Sequence, residues 1–281
     1  MPLESRLGEI MRTENRTKLP QWDEHKPSLL EHYFELIHEN HSSLDSPESD
    51  EGKKAFLRGR GLLSGEMDRF TAEGALLFCK TQLHCFHTNV MIVDARKKTD
   101  QEQPLRGLSL LELYNQLVRA RTLKSLWEQP FSSTSIRDRS WGEKIFFEYP
   151  KKAVLEAIAI FLVQQDYEDT APHYITITPD RVQFQLSSSP NPILEKAFKD
   201  MGLGHGVGEG LAYIREALLD NLSYTSDGKL GLEMGENSLT LFRRNPAQSI
   251  TPSLLRNALP DPSSAVLSPH IPPTVLIPAG S

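Results

Sequence analysis

The chain has 281 residues, a formal net charge of −6, and 38% hydrophobic and 24% charged residues. That length supports one large domain or two small ones around a sizeable core. The acidic balance excludes a surface that grips nucleic acid everywhere, so any such contact needs a local basic patch. With two cysteines and no secretory leader, the expected setting is a reducing cytoplasm. No apolar run approaches the roughly 20 residues that span a bilayer, so no membrane partner is expected.

Residues 1–27 are polar, broken by Pro20 and Pro27, and read as a mobile arm. Leu29, Leu30, Tyr33, Phe34 and Ile37 follow helical spacing behind Ser28 as N-cap. Residues 42–52 are acidic and Ser-rich, a composition that favours disorder. Residues 53–63 read as a second short helix, stopped at Gly61 or Gly65. Residues 70–78 are an apolar run that continues into Cys79, and 89–94 a strand. Two helices followed by extended segments fit a small helical, winged-helix-like subdomain over 28–104. Residues 97–104 read as a charged loop. Residues 105–127 read as one long helix, with Ser109 as an alternative start and Leu110, Leu113, Leu117, Ala120 and Leu123 as its apolar stripe. A polar loop over 130–140 and a strand over 143–148 follow.

The informative stretch runs from Tyr149 to Leu218. Pro150 suits the first turn of a helix, and Val154 to Val163 is apolar except for Glu156, so this helix is expected to be mostly buried. Tyr174 to Thr178, and then Val182, Phe184 and Leu186 beyond Pro179-Asp180, alternate as a hairpin with one buried face. A helix, a glycine-rich turn and another helix over 210–222 complete the stretch. Residues 229–234 and 238–243 form a closing hairpin, and 245–281, rich in Pro, Ser and Ala, read as a disordered tail.

Tyr149-Pro150, Ala153, Glu156-Ala157, Asp166-Tyr167, Asp180-Arg181-Val182, Asn191-Pro192-Ile193-Leu194, Phe198, Gly202-Leu203, Gly206, Gly208, Gly210 and Ile214 occur in a recognisable order. In this the chain resembles the C-terminal domain of RecG-related, Schlafen/AlbA-type transcriptional regulators, a divergent branch of the GHKL ATPase-like fold. The resemblance covers about residues 28–244, with FTAEGALLF upstream included. It implies an α+β fold, a GHKL-like sandwich over 105–244 behind the helical subdomain. It also implies an ATP site in which Glu156 would orient the attacking water and the glycine turn would face the phosphates. The position one turn past Glu156, where the family carries a magnesium-ligating Asn, is Ile160. Isoleucine offers no oxygen to a hard cation. The expected reading is therefore a fold kept and a nucleotide site lost, with no cofactor, ATP being disfavoured.

Gly204, Gly206, Gly208 and Gly210 are the candidate nucleotide-binding residues, opposed by Glu209 at the helix start. Glu156 is the candidate catalytic carboxylate. Cys79, His84, Cys85 and His87 carry zinc-ligand chemistry, but their spacing fits no standard finger, so no metal is expected. Arg119, Arg121, Arg137, Arg139, Lys151 and Lys152, with Trp127, Phe131 and Trp141 interleaved, form a candidate patch for nucleic acid or a protein partner. The favoured function is a non-catalytic regulatory or scaffold protein acting through protein contacts, in transcription or another DNA-associated process. The alternatives are a nucleotide-binding ATPase and a direct DNA-binding regulator. Oligomeric state is not legible.

Overall fold

A computed structural model describes residues 19–41, 47–65, 68–79, 86–96, 101–128, 136–138, 142–144, 146–187 and 191–244. The expected tail over 245–281 and residues 1–18 of the expected arm lie outside the described residues.

Residues 19–26 correct the expectation of a mobile arm. The Phe70 N–H donates to Pro20 O at 2.9 Å and the Lys26 N–H to Phe78 O at 2.8 Å. Gln21 and His25 form isolated bridges with Arg69 and Cys79. The Trp22 ring stacks on Phe70 with centroids 5.8 Å apart. An aromatic anchor and strand-like backbone bonds offset the ordering entropy of this polar segment.

Helix α1 is Pro27–Asn40, with Lys26 rather than Ser28 as N-cap and Pro27 in the first turn. Helix α2 is Asp50–Gly59, so the expected Ser-rich loop ends early; the Ser49 hydroxyl accepts from Gly52 N. The apolar run at 70–78 is largely the short helix α3, Ala72–Phe78, buried from Gly74 to Phe78. Gly74 is obligatory, because a Cβ there would lie 2.0 Å from Leu62 O. Strand β1 is Asn89–Asp94.

Strand β2, Gln101–Arg106, takes up the end of the expected charged loop and the first two residues of the expected helix. The expected single helix over 105–127 is two, α4 at Leu110–Arg119 and α5 at Arg121–Glu128, broken at Ala120 with ψ 120°. The break has a packing cause. On an uninterrupted helix Leu126 would point about 160° away from Leu110, at 100° per residue. Re-aiming at Ala120 lets Leu110, Leu113 and Leu117 share the core with Leu123, Leu126 and Trp127. A capping box starts α4: Ser109 Oγ accepts from Glu112 N and Glu112 Oε2 accepts from Ser109 N.

Strands β3, Ile136–Asp138, and β4, Gly142–Lys144, make a separate ribbon, so the strand expected over 143–148 is shorter and outside the main sheet. Helix α6 is Lys151–Val163, and strands β5, His173–Ile177, and β6, Arg181–Gln185, are the expected hairpin. Helix α7 is Pro192–Asp200, capped by Asn191, and helix α8 is Val207–Asp220. Strands β7, Leu232–Met234, and β8, Ser238–Phe242, close the fold.

The protein is α+β. Its six-stranded sheet has the order β2-β1-β5-β6-β8-β7, with β1 and β5 parallel and every other neighbouring pair antiparallel. The division expected at 104/105 falls inside β2, and β1 pairs with β5 from the far side of it, so both parts share one sheet and one core. Val90, Ile92, Ile175, Ile177, Val182, Phe184, Leu239 and Leu241 form the buried face of the sheet. Helix α6 packs over β6 and β8 and against α4, α5, α7 and α8. Covered on nearly every side, it is apolar nearly all round. Among the described residues no helix is long and apolar enough to cross a membrane.

Candidate functional site

Glu156 is the charged exception on the buried length of α6, and it is 3% exposed. Such a carboxylate needs hydrogen-bond partners to stay buried. The turn from α7 to α8 supplies them. His205 N–H donates to Glu156 Oε1 at 2.8 Å, and His205 Nδ1 lies 2.8 Å from Oε2. The His205 ring stacks on Tyr213 of α8 with centroids 4.1 Å apart, and Lys152 Nζ lies 5.9 Å from the Tyr213 ring centre. A second carboxylate reaches the same turn from α7: Glu195 Oε1 accepts from Val207 N at 2.9 Å. The first N–H of α8 and the N–H two residues before it therefore both point at carboxylates.

The glycines fit this closure. Gly206 has φ 81°, in the left-handed region, and a Cβ there would meet Glu195 Oε1 at 2.4 Å. A Cβ at Gly210 would meet Glu156 Oε1 at 2.3 Å, and one at Gly204 would meet the Ala159 Cβ at 2.8 Å. Gly208 alone of the four faces open space. Between Glu156, Ile160, Glu195 and Phe198 the remaining cavity is about 10 Å³, against the ~300–1,000 Å³ of ordinary ligand pockets. Sequence reasoning missed Glu195 and His205. The available signal was a carboxylate one turn into α7 and a histidine inside the glycine turn.

Of the six basic candidates, the four with described side chains, Arg119, Arg121, Lys151 and Lys152, line no common groove. Arg119 and Arg121 straddle the break at Ala120 and line an open groove of about 530 Å³ with Gln103, Glu112, Asn115 and Gln116. A second groove of about 360 Å³ continues from both arginines past Lys124 and Glu128. Glu112 is engaged by Lys26 at 2.8 Å, and Lys124 by Glu128 at 2.9 Å. Burial pushes the Glu112 carboxyl up, but Lys26 and Ser109 outweigh it and hold the group below its ordinary value. Lys151 and Lys152 open α6, with Lys152 over Tyr213. The side chains of Arg137 and Arg139, and the aromatics Phe131 and Trp141, lie outside the described residues. Trp127, interleaved in the candidate patch for nucleic acid or a protein partner, is 6% exposed in the core.

His84 and Cys85 lie outside the described residues. Cys79 is buried, and burial pushes its thiol up to about 12. Among the described residues no three His, Cys, Asp or Glu side chains cluster as metal ligands.

No protein-family model matches the chain, and no curated protein does. Among solved structures it is similar to the DIP2311 protein from Corynebacterium diphtheriae, a structural-genomics target, with a TM-score of 0.56 and 17% identity. The match covers 81% of this chain and 46% of that one, so the protein spans about half the length of that neighbour. At this identity the likeness is one of fold.

Proposed function

We propose that the protein is a non-catalytic regulatory or scaffold protein, built on a GHKL-like nucleotide-binding module whose site its own carboxylates fill. One observation carries this reading: the turn into α8, a natural phosphate cradle, is occupied by Glu195 on Val207 N and by Glu156 on His205 N. Two features support it. Ile160 stands where the resemblance places a magnesium ligand, with its Cδ1 3.2 Å from where a Cβ on Gly210 would lie. The cavity of about 10 Å³ beside Glu156 is far below what a nucleotide fills. The protein then works through protein contacts in the cytoplasm, in the transcriptional or DNA-associated setting that the family resemblance supplies.

Calorimetry with ATP and magnesium, paired with a phosphate-release assay, tests this. The expected result is neither binding heat nor phosphate release. Micromolar binding that disappears in Glu156→Ala would overturn the reading in favour of a working ATPase.

A further inference from the structure

We propose that the groove between the β2 edge and α4 takes an acidic, extended segment of a partner protein, added as a further strand on β2. This rests on the reading that the protein acts through protein contacts, and it names the surface and the chemistry of that contact.

Among the described residues strand β2 ends the sheet, with β1 as its one neighbour. The register pairs Asn89 with Arg106, and the Gly107 N–H donates to Thr88 O at 3.2 Å. In an antiparallel ladder bonded and non-bonded pairs alternate. Gln103 and Leu105 therefore bond inward to β1. Glu102 and Arg106 turn their N–H and C=O groups outward, and Pro104 its C=O. All three are exposed. Unpaired strand edges of this kind accept extended peptides. Pro104 removes one outward donor, which limits the addition to a short segment and guards against sheet-to-sheet aggregation.

The groove beside this edge selects the sign of the occupant. Its carboxylate Glu112 is tied to Lys26. Arg119 and Arg121 are exposed and take part in no ion pair among the described residues. The other polar lining residues, Gln103, Asn115 and Gln116, are amides that hydrogen-bond to peptide groups. Two guanidiniums with no ion pair among the described residues, in a groove whose carboxylate Glu112 is already held by Lys26, match the carboxylates of an acidic peptide. A nucleic-acid strand fits less well. It needs stacking platforms and several cations along its backbone, whereas among the described residues no aromatic residue lines either groove and the cations are Arg119, Arg121 and Lys124, the last held by Glu128.

The test is fluorescence polarisation of the full chain with three labelled probes of about twelve units: alternating Glu and Thr, alternating Lys and Thr, and single-stranded DNA. The Glu/Thr peptide is expected to bind, and the Lys/Thr peptide is not. In the double variant Arg119→Glu/Arg121→Glu, affinity is expected to fall about tenfold or more, with an unchanged thermal midpoint because both side chains are exposed. Lys229→Glu, at an exposed ion pair on another part of the surface, is the charge control and is expected to leave binding intact. Glu102→Pro removes an outward N–H without touching a bond to β1, and it is expected to weaken the peptide several-fold. No Glu/Thr binding by about 100 µM, or binding indifferent to the arginine reversal, overturns the proposal. Tighter DNA binding that the same reversal abolishes assigns the groove to nucleic acid instead. Binding that survives Glu102→Pro unchanged removes the added strand. None of these outcomes depends on the ATP experiment.

Discussion

Glu156 on α6 and His205 in the turn before α8 are joined twice: one carboxylate oxygen takes the His205 N–H and the other faces Nδ1, both at 2.8 Å. This pair ties the most buried helix to the glycine turn. Its geometry makes the carboxylate a structural anchor, and that role can be measured.

Glu156→Ala leaves the His205 N–H without its partner and opens a void beside Ile160. A loss of about 2–4 kcal/mol in unfolding free energy is expected. Glu156→Gln keeps the shape and one acceptor, so its loss should be smaller. Urea denaturation of both variants checks this, and an Ala variant within about 0.5 kcal/mol of the parent would show that the anchor is not real.

The glycines should separate into two classes. Gly210→Ala drives a methyl group to 2.3 Å from Glu156 Oε1, whereas Gly208→Ala meets nothing within 4 Å. The first is expected to destabilise the protein by about 1–3 kcal/mol through overpacking. The second is expected to be neutral or to stabilise by up to about 1 kcal/mol, since Gly208 lies within α8. Equal effects at the two positions would contradict the packing described for this turn.

His173 on β5 gives a pH dependence. Burial holds its imidazole below the ordinary value, with Asp169 and Asp166 opposing. The folded histidine stays neutral where the unfolded one has taken up a proton. The unfolded chain therefore binds more protons below about pH 6.5, so stability is full above that pH and declines as pH falls through the window beneath it. The contribution is bounded by about 1.4 kcal/mol per pH unit. Comparing urea midpoints at two pH values for the parent and His173→Gln should show a flatter response in the variant, and parallel curves would rule this histidine out.

Cys79 should be inert in the folded state. It is 2% exposed and its thiol is pushed up to about 12, so almost no thiolate exists at neutral pH. In a Cys85→Ser background, iodoacetamide is expected to label Cys79 only after denaturation. Rapid labelling of the native protein, read by mass spectrometry, would contradict its burial.

Trp22 tests the docked segment before α1. Its ring stacks on Phe70 while remaining partly exposed, so Trp22→Ala is expected to cost about 2 kcal/mol, less than a fully buried tryptophan. An unchanged thermal midpoint would return residues 19–26 to the status of a loose arm.

Periodicity and punctuation were enough to read α1, α6, the β5–β6 hairpin and the closing β7–β8 pair from the chain. Each announces itself locally, through apolar residues at a fixed spacing or a turn between alternating runs. Glu156 stood out for the same reason, as one charge in an apolar run. The rest depended on contacts distant in sequence. Most of strand β2 reads as a charged loop because it is an edge strand with exposed Glu102, Gln103 and Pro104, and only pairing with β1 makes it a strand. The break at Ala120 is invisible because alanine favours helix; the core demanded that Leu126 and Leu110 face the same way. Residues 19–26 have no periodicity, and Phe70, about 50 residues on, orders them. The glycine turn was visible as glycines, but what lies opposite it was not. Glu195 and Glu156 reach that turn from two other helices, and a carboxylate's partner across the fold leaves no local pattern in the sequence.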